Sequence, residues 1–272
     1  MHSPSEQRAQ VVRICVLGNS HAGALGQAWK ELRQDYPHVE MVYFCGTQAT
    51  LKDLVLQDGA LVPANAGIAA AIEYTSGGLK RVELASFDLV LVYGLHFTMW
   101  RELDRRLSAA VLAATVRDGY RQTLNGRISR LVAQAWPKTI YVGHRPLLAD
   151  NASPADAFTL RYDEVVDLYN RSFADDHLLV MPQPVDTIKD GQNGRSTLTE
   201  LSKGSLMLEF KQERANRPHT DTDVSHMNVE FGRRYLRSFF HYLGIVETSS
   251  SWPRSPAPTE ADLPNLRSAK NP

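Results

Sequence analysis

The stretch Val11-Val12-Arg13-Ile14-Cys15-Val16-Leu17-Gly18-Asn19-Ser20-His21 carries the reading on which the fold turns. Val11 to Leu17 is a short apolar run with the pattern of a strand, Gly18 and Asn19 interrupt it, and Ala22 to Gln34 has the apolar spacing of a helix. A serine held where a strand gives way to a helix is exposed. The first N–H groups of the helix lack internal partners there, and the helix dipole favours negative charge at that end. Ser20 therefore has the surroundings of a nucleophile, although Ser or Asn at such a turn also serves as an ordinary helix cap.

Working outward, the same alternation recurs. Val39 to Cys45, Phe87 to Tyr93, Thr139 to Val142 and Leu178 to Met181 read as strands, and the continuous apolar run Leu89 to Val92 predicts burial on both faces. Arg101 to Trp136 reads as helical with a break near Gly119 or Gly126, ended by Pro137. Asp156 to Asp175 reads as a helix with an acidic exposed side. Asn228 to Leu243 reads as the last helix, with Phe231, Tyr235, Phe239 and Tyr242 as a core stripe. Thr47 to Gln57 is expected to begin a helix. Leu61 to Lys80 is ambiguous, with Gly67 to Tyr74 helix-like and Gly77-Gly78 a turn, and the region is expected to be irregular and near a site. Strands alternating with helices predict an α/β fold with a parallel sheet.

This pattern places one domain over residues 11–244, preceded by a flexible N-terminus at 1–10. A disordered tail is expected over 245–272, where Pro253, Pro256, Pro258 and Pro264 argue against packed elements. Pro182 to Arg217 is rich in Gly, Ser, Asn and Lys, with apolar pieces such as Leu206 to Phe210, and is expected to cap a pocket or form a small hairpin. No repeat or heptad run is present.

The chain has 272 residues, 43% hydrophobic and 22% charged, enough to bury a substantial core. Its 30 basic and 30 acidic side chains sum to zero net charge, which disfavours nucleic-acid or anionic-membrane partners. No segment reaches the roughly 18 uninterrupted apolar residues of a membrane span. Met1 to Gln10 lacks the apolar core of a signal peptide, so a cytoplasmic location is the expectation. The two cysteines, Cys15 and Cys45, are expected to be buried free thiols.

A serine hydroxyl needs a base at neutral pH, and the base needs an orienting acid. Asp223-Val224-Ser225-His226, just before the last helix, offers His226 as base and Asp223 three residues earlier to hold its tautomer. Either could equally cap or begin that helix. The first strand-to-helix turn and the last loop-to-helix turn of an α/β chain can both open on the carboxyl edge of the sheet, where the pair could meet Ser20. At the end of the fourth strand of the central sheet, His144 and Arg145 are candidates for substrate contact. An arginine fork suits carboxylate or phosphate, and a surface salt bridge is the structural alternative.

These residues resemble the SGNH hydrolases, also called GDSL-type esterases and lipases. Val16-Leu17-Gly18-Asn19-Ser20-His21 is similar to the first block, with Asn19 where Asp is commoner, and Asp223 to His226 is similar to the last, Asp-x-x-His. Phe44 to Leu51 resembles the second block, whose glycine donates a backbone N–H to the oxyanion; Gly46 takes that position. The third block, Gly-x-Asn, falls on Gly94-Leu95-His96. His96 thus stands where the family has an asparagine donor: a histidine ring N–H can substitute, or the donor is missing and the activity is altered.

The resemblance implies a three-layer α/β/α flavodoxin-like sandwich and ester hydrolysis through an acyl-enzyme on Ser20, with His226 shuttling the proton and Asp223 orienting it. Ser20, Gly46 and His96 would form the oxyanion hole, and no metal or cofactor is implied. A short acyl ester, O-acetyl on a saccharide or small molecule, is the expected substrate class. Acyl transfer on the same fold and a non-catalytic module that binds a carbohydrate or a partner remain alternatives.

Two further chemistries are less well supported by the residues. His219, Asp221, Asp223 and His226 offer possible metal ligands for a metal-dependent hydrolase, without a strong metal spacing. Gly18, Gly23 and Gly26 match neither G-x-G-x-x-G nor a P-loop ending, so nucleotide binding is not indicated.

Overall fold

A computed structural model describes residues 11–47, 49–97, 103–149, 159–191, 194–208 and 217–248. β1 (Val12–Gly18) runs into α1 (Ala22–Leu32) and is followed by β2 (Val39–Cys45). β3 (Leu54–Gln57), β4 (Ala60–Pro63), α2 (Ala66–Thr75) and β5 (Val82–Glu83) come next. β6 (Leu89–Tyr93) leads to α3 (Ala109–Arg121), α4 (Leu124–Ala133), β7 (Ile140–Gly143), α5 (Tyr162–Ser172), β8 (Leu178–Met181) and α6 (Val229–Tyr242).

β2, β1, β6, β7 and β8 form a five-stranded sheet in that order, with every neighbouring pair parallel. Alternation along each strand builds two cores. Ile14 and Val16 of β1, with Leu91 and Tyr93 of β6, face α1 and α6. Cys15, Leu17, Val90 and Val92 face α2, α3, α4 and α5. The result is a three-layer α/β/α sandwich of the flavodoxin-like, doubly wound kind, whose strand order reverses between β1 and β6. As the apolar run predicted, Val90, Leu91 and Val92 are buried on both faces.

α1 buries Leu25, Ala28, Trp29 and Leu32 at helical spacing, and α6 buries Phe231, Tyr235, Leu236, Phe239 and Phe240. These two helices approach closely because α6 has a glycine at the contact: a Cβ on Gly232 would overlap the Ala24 carbonyl and press on Ala28 Cβ. Tyr242, expected in the core stripe, instead lies partly exposed at the helix end.

Several expectations are corrected. Thr47 to Gln57 forms only a single short turn, Thr50–Asp53, before becoming β3, which pairs antiparallel with β4. The signal for this hairpin is Asp58-Gly59, whose positive φ values of 50° and 77° suit a two-residue turn. The Arg101 to Trp136 helix is two helices, starting only at Ala109 after its cap Ser108. The break expected near Gly119 or Gly126 falls between them, at Gln122-Thr123, where the Thr123 hydroxyl accepts the Gly126 N–H and caps α4. The Asp156 to Asp175 helix is α5, shorter than expected. Positions 101–102 and 156–158 lie outside the described residues.

Described residues of 182–217 form turns braced by a bridge from Thr197 to Ile188 and tied to the segment after β7 by a bridge from Thr197 to Ala149, and Gln183 anchors them by bonding Leu147 N–H, Thr187 and Thr197. Within Leu206 to Phe210, residues 209–210 lie outside the described residues. Past Gly244 the chain still makes contacts: Glu247 accepts from the Tyr36 hydroxyl and Arg237, and Thr248 N–H donates to Asp35 C=O. Residues 1–10 and 249–272, expected to be flexible, lie outside the described residues. Cys15 and Cys45 are buried free thiols in opposite cores. Among the described residues no helix is long and apolar enough to cross a membrane.

Because the Gly232 contact has no room for a methyl group, Gly232→Ala is expected to lower folding stability by about 1–3 kcal/mol or more. Urea unfolding reads this as a lower midpoint; an unchanged midpoint would mean that the helices re-space at no cost.

Candidate active site

Ser20 sits just past β1 and His226 just before α6, and the packing of α6 on α1 brings these ends together. Asn19 takes the structural role that Ser20 would otherwise share: its Oδ1 accepts the His21 N–H at 3.1 Å, leaving the Ser20 hydroxyl free of capping duty. Ser20 Oγ lies 2.9 Å from His226 Nε2, joining residues 206 apart in the chain. On the other side of the ring, His226 Nδ1 lies 2.8 Å from Asp223 Oδ2. A carboxylate only accepts, so Nδ1 carries the proton, Nε2 presents its lone pair, and the Ser20 hydroxyl donates to it.

Asp223 is held by a short loop of its own. Its Oδ1 accepts from the Ser225 N–H at 2.7 Å, the Ser225 hydroxyl at 2.8 Å and the His226 N–H at 3.1 Å. Burial pushes this carboxyl up, but the bonds from Ser225 and His226 outweigh burial and hold it well below the usual carboxylate range. Asp223 is thus charged at any working pH.

His226 is also clamped face to face. His219 stacks on it with ring centroids 3.9 Å apart and 9° between planes, and His21 stacks at 4.6 Å and 17°. His219 Nδ1 lies 3.1 Å from the same Asp223 Oδ2 that receives His226. Burial lowers the His21 pKa to about 3, helped by repulsion from a protonated His226 ring and from Arg145, and burial likewise lowers that of His219. Both flanking rings are therefore neutral at neutral pH. Sequence reasoning did not assign these two supports. His21 is next to the serine, and His219 drew notice only as a metal ligand.

His219, Asp223 and His226 bring their ligand atoms within 4.8 Å of one another and are the described side chains that could hold a cation; Asp221 is not in the group. A cation there would displace the bonds that orient His226, because both rings converge on one carboxylate oxygen.

Ser20, His21 and His226 line a cleft of about 1030 Å³ outside the carboxyl ends of β1 and β6, at the point where the strand order reverses. α3 and the turn into α4 form its far wall through residues such as Thr115, Asp118 and Thr123. His96 also lines it, exposed, on the segment that Gly94 turns toward the serine. Gly94 has φ +71°, and a Cβ there would strike His21 Cβ and crowd Asn19, so this turn requires glycine.

Two sequence assignments change. The Gly46 N–H donates to Gly18 C=O at 3.1 Å, continuing the β1–β2 ladder, and so is already committed. Its missing side chain serves packing, since a Cβ would overlap Thr50 Oγ1 and Ile68 Cδ1. From this loop it is Ala49 that reaches the cleft, while the Ser20 N–H has no backbone acceptor among the described residues. His144, expected at the substrate, is buried away from it. Its Nδ1–H donates to Arg145 C=O at 2.6 Å, and its Nε2 accepts from the Tyr162 hydroxyl at 2.6 Å. Arg145 alone of that pair lines the cleft.

Burial lowers the His144 pKa to about 4, against about 6.5 in an unfolded chain. Between those values the unfolded chain binds a proton that the native protein does not, so stability falls as pH drops from 6.5 and levels off below about 4. The loss from this one group is on the order of 3 kcal/mol. Chemical denaturation across pH 4 to 8 should show this decline, and His144→Gln should make it shallower even while lowering stability at pH 8, with the lowered pKa values of His21 and His219 supplying the remaining slope. An equal slope in the variant would assign the pH dependence to other groups. No family model matches the chain, and no curated protein is similar enough to count as a relative.

Proposed function

We propose that this chain is a serine ester hydrolase of the SGNH kind. The observation that carries the reading is the continuous line from Asp223 Oδ2 through His226 to Ser20 Oγ, at 2.8 and 2.9 Å, opening into a cleft at the sheet's switch point. A hydrogen-bonded serine could arise by chance in a cap. A serine joined to a histidine that is itself backed by an ionised carboxylate and clamped by two neutral rings has its lone pair, tautomer and ring plane all set for proton transfer.

In the first step Ser20 Oγ bonds to the ester carbonyl carbon while its proton passes to His226 Nε2. The carbonyl π electrons move to oxygen, and in this reading the Ser20 N–H, just ahead of α1 and without a backbone acceptor among the described residues, donates to that charge. Collapse of the tetrahedral species breaks the carbon–oxygen bond to the alcohol, which leaves with the proton from His226. Water then repeats the sequence on the acyl-Ser20: His226 takes its proton, the acid departs, and Ser20 regains its hydrogen. Asp223 stabilises the imidazolium in both halves without itself taking a proton.

A second oxyanion donor comes in this reading from the Ala49 loop or the His96 ring, both of which line the cleft, rather than from Gly46. The cleft is large beside an acetyl group, which supports a short acyl chain on a bulky alcohol such as a saccharide.

Hydrolysis of p-nitrophenyl acetate and butyrate by the wild type, Ser20→Ala and His226→Ala, with and without chelator, tests the reading. Each variant is expected to lose on the order of a thousandfold or more in kcat, with no effect of chelator. Chelator-sensitive activity would move the chemistry to His219, Asp223 and His226 as cation ligands. A folded, inactive wild type would point to acyl transfer onto a specific acceptor, or to binding without turnover.

A further inference from the structure

We propose that Arg145 is the residue through which the cleft recognises its substrate, and that the substrate ester carries an oxyanion, a carboxylate or a phosphate, beside the scissile group. The proposal rests on the esterase reading for the word ester, but its physical basis is separate.

Arg145 follows β7 at the carboxyl edge of the sheet and lines the same cleft as Ser20, His21 and His226. Its backbone is fixed from below. The Arg145 carbonyl accepts from His144, whose other ring nitrogen accepts from the Tyr162 hydroxyl, and that hydroxyl accepts the Gln183 N–H at 2.5 Å. Two buried side chains, His144 at the end of β7 and Tyr162 of α5, with the Gln183 backbone N–H after β8 behind them, thus hold one arginine at the cleft wall. A substrate-facing cation needs such a base, because a loosely tethered side chain loses much of its binding energy in ordering.

What the side chain lacks among the described residues is a counter-charge. Arg13, Arg105 and Arg161 pair with Glu40, Glu164 and Asp163, whereas Arg145 has no salt bridge or side-chain hydrogen bond among the described residues. Its Nε is buried with no acceptor. Among the described lining residues the carboxylate is Asp118, exposed on α3, and no salt bridge among the described residues joins it to Arg145. A buried guanidinium N–H without an acceptor is costly in the free protein, and a bidentate oxyanion would relieve it. The charge is felt at the site, since Arg145 helps to keep His21 neutral. An arginine that merely covered surface would have neither the buried unpartnered nitrogen nor the fixed base.

The alternative role for this cation is to stabilise the oxyanion of the tetrahedral intermediate, and the two roles separate experimentally. Phenyl acetate and p-acetoxybenzoate share an acyl group and differ by a carboxylate on the alcohol. If Arg145 recognises substrate, Arg145→Gln lowers the ratio of kcat/KM for p-acetoxybenzoate over phenyl acetate by roughly tenfold or more, with Arg145→Lys intermediate. Equal loss on both esters assigns Arg145 to the oxyanion and overturns the proposal.

Binding of p-hydroxybenzoate and of inorganic phosphate to Ser20→Ala, followed by calorimetry, needs no turnover. Saturable binding that weakens roughly tenfold on adding Arg145→Gln supports the proposal, and the tighter of the two probes says whether the anion is carboxylate or phosphate. Absent binding, or binding indifferent to Arg145→Gln, overturns it. Anion binding through Arg145 in a protein that hydrolyses neither ester would refute the esterase reading alone. Hydrolysis of phenyl acetate without anion binding would refute the Arg145 proposal alone.

Discussion

The close approach of α6 to α1 governs the rest of the site. Two helices can lie this near only because Gly232 meets the Ala24 carbonyl with no side chain between them, and both residues belong to the first turns of their helices. The contact therefore joins the helix beginnings, and what joins the beginnings joins the residues just ahead of them, Ser20 and His226. β1 supplies the other half of the constraint. Paired with β2 on one side and β6 on the other, it delivers Ser20 to the carboxyl edge at the strand-order reversal, where a crevice opens between the loops.

Around that junction each polar group has a single task. Asn19 closes the turn so that Ser20 need not. Ser225 and two backbone N–H groups hold one oxygen of Asp223, which leaves the other for the rings of His226 and His219. Burial keeps His21 and His219 neutral, so they act as flat walls on either face of His226 instead of competing for its proton. Aromatic stacking of this kind is worth about 0.5–1.5 kcal/mol per pair, enough to restrict one ring orientation. Here the gain is positional: a histidine free to rotate would seldom align both nitrogens at once.

Much of this was legible in the residues. The strands and their burial follow from apolar runs such as Leu89 to Val92, and the helices from 3.6-residue spacing. The pairing of Ser20 with Asp223 and His226 was open to inspection because α/β turns converge on one edge. The helix expected to begin in Thr47 to Gln57 gives way to a hairpin because a short apolar, alternating strand and a short helix look alike until Asp58-Gly59 is weighed as a turn. The break expected near Gly119 or Gly126 lies between them at Thr123, whose hydroxyl caps α4, while Gly126 packs against the Tyr120 carbonyl with no room for a Cβ.

By itself the sequence determined a parallel sheet flanked by helices, the edge at which chemistry could occur, and the residue types able to perform it, because periodicity and turn chemistry act between near neighbours in the chain. Only the tertiary structure decided which of those groups are free. Gly46 spends its N–H on Gly18, and His144 spends both ring nitrogens on Arg145 and Tyr162, while its neighbour Arg145 meets the cleft without a partner. Whether a donor or an acceptor is spent or available depends on partners that distant segments bring up, such as the Tyr162 hydroxyl from α5 or the Gly18 carbonyl from β1, and no local pattern encodes that distance.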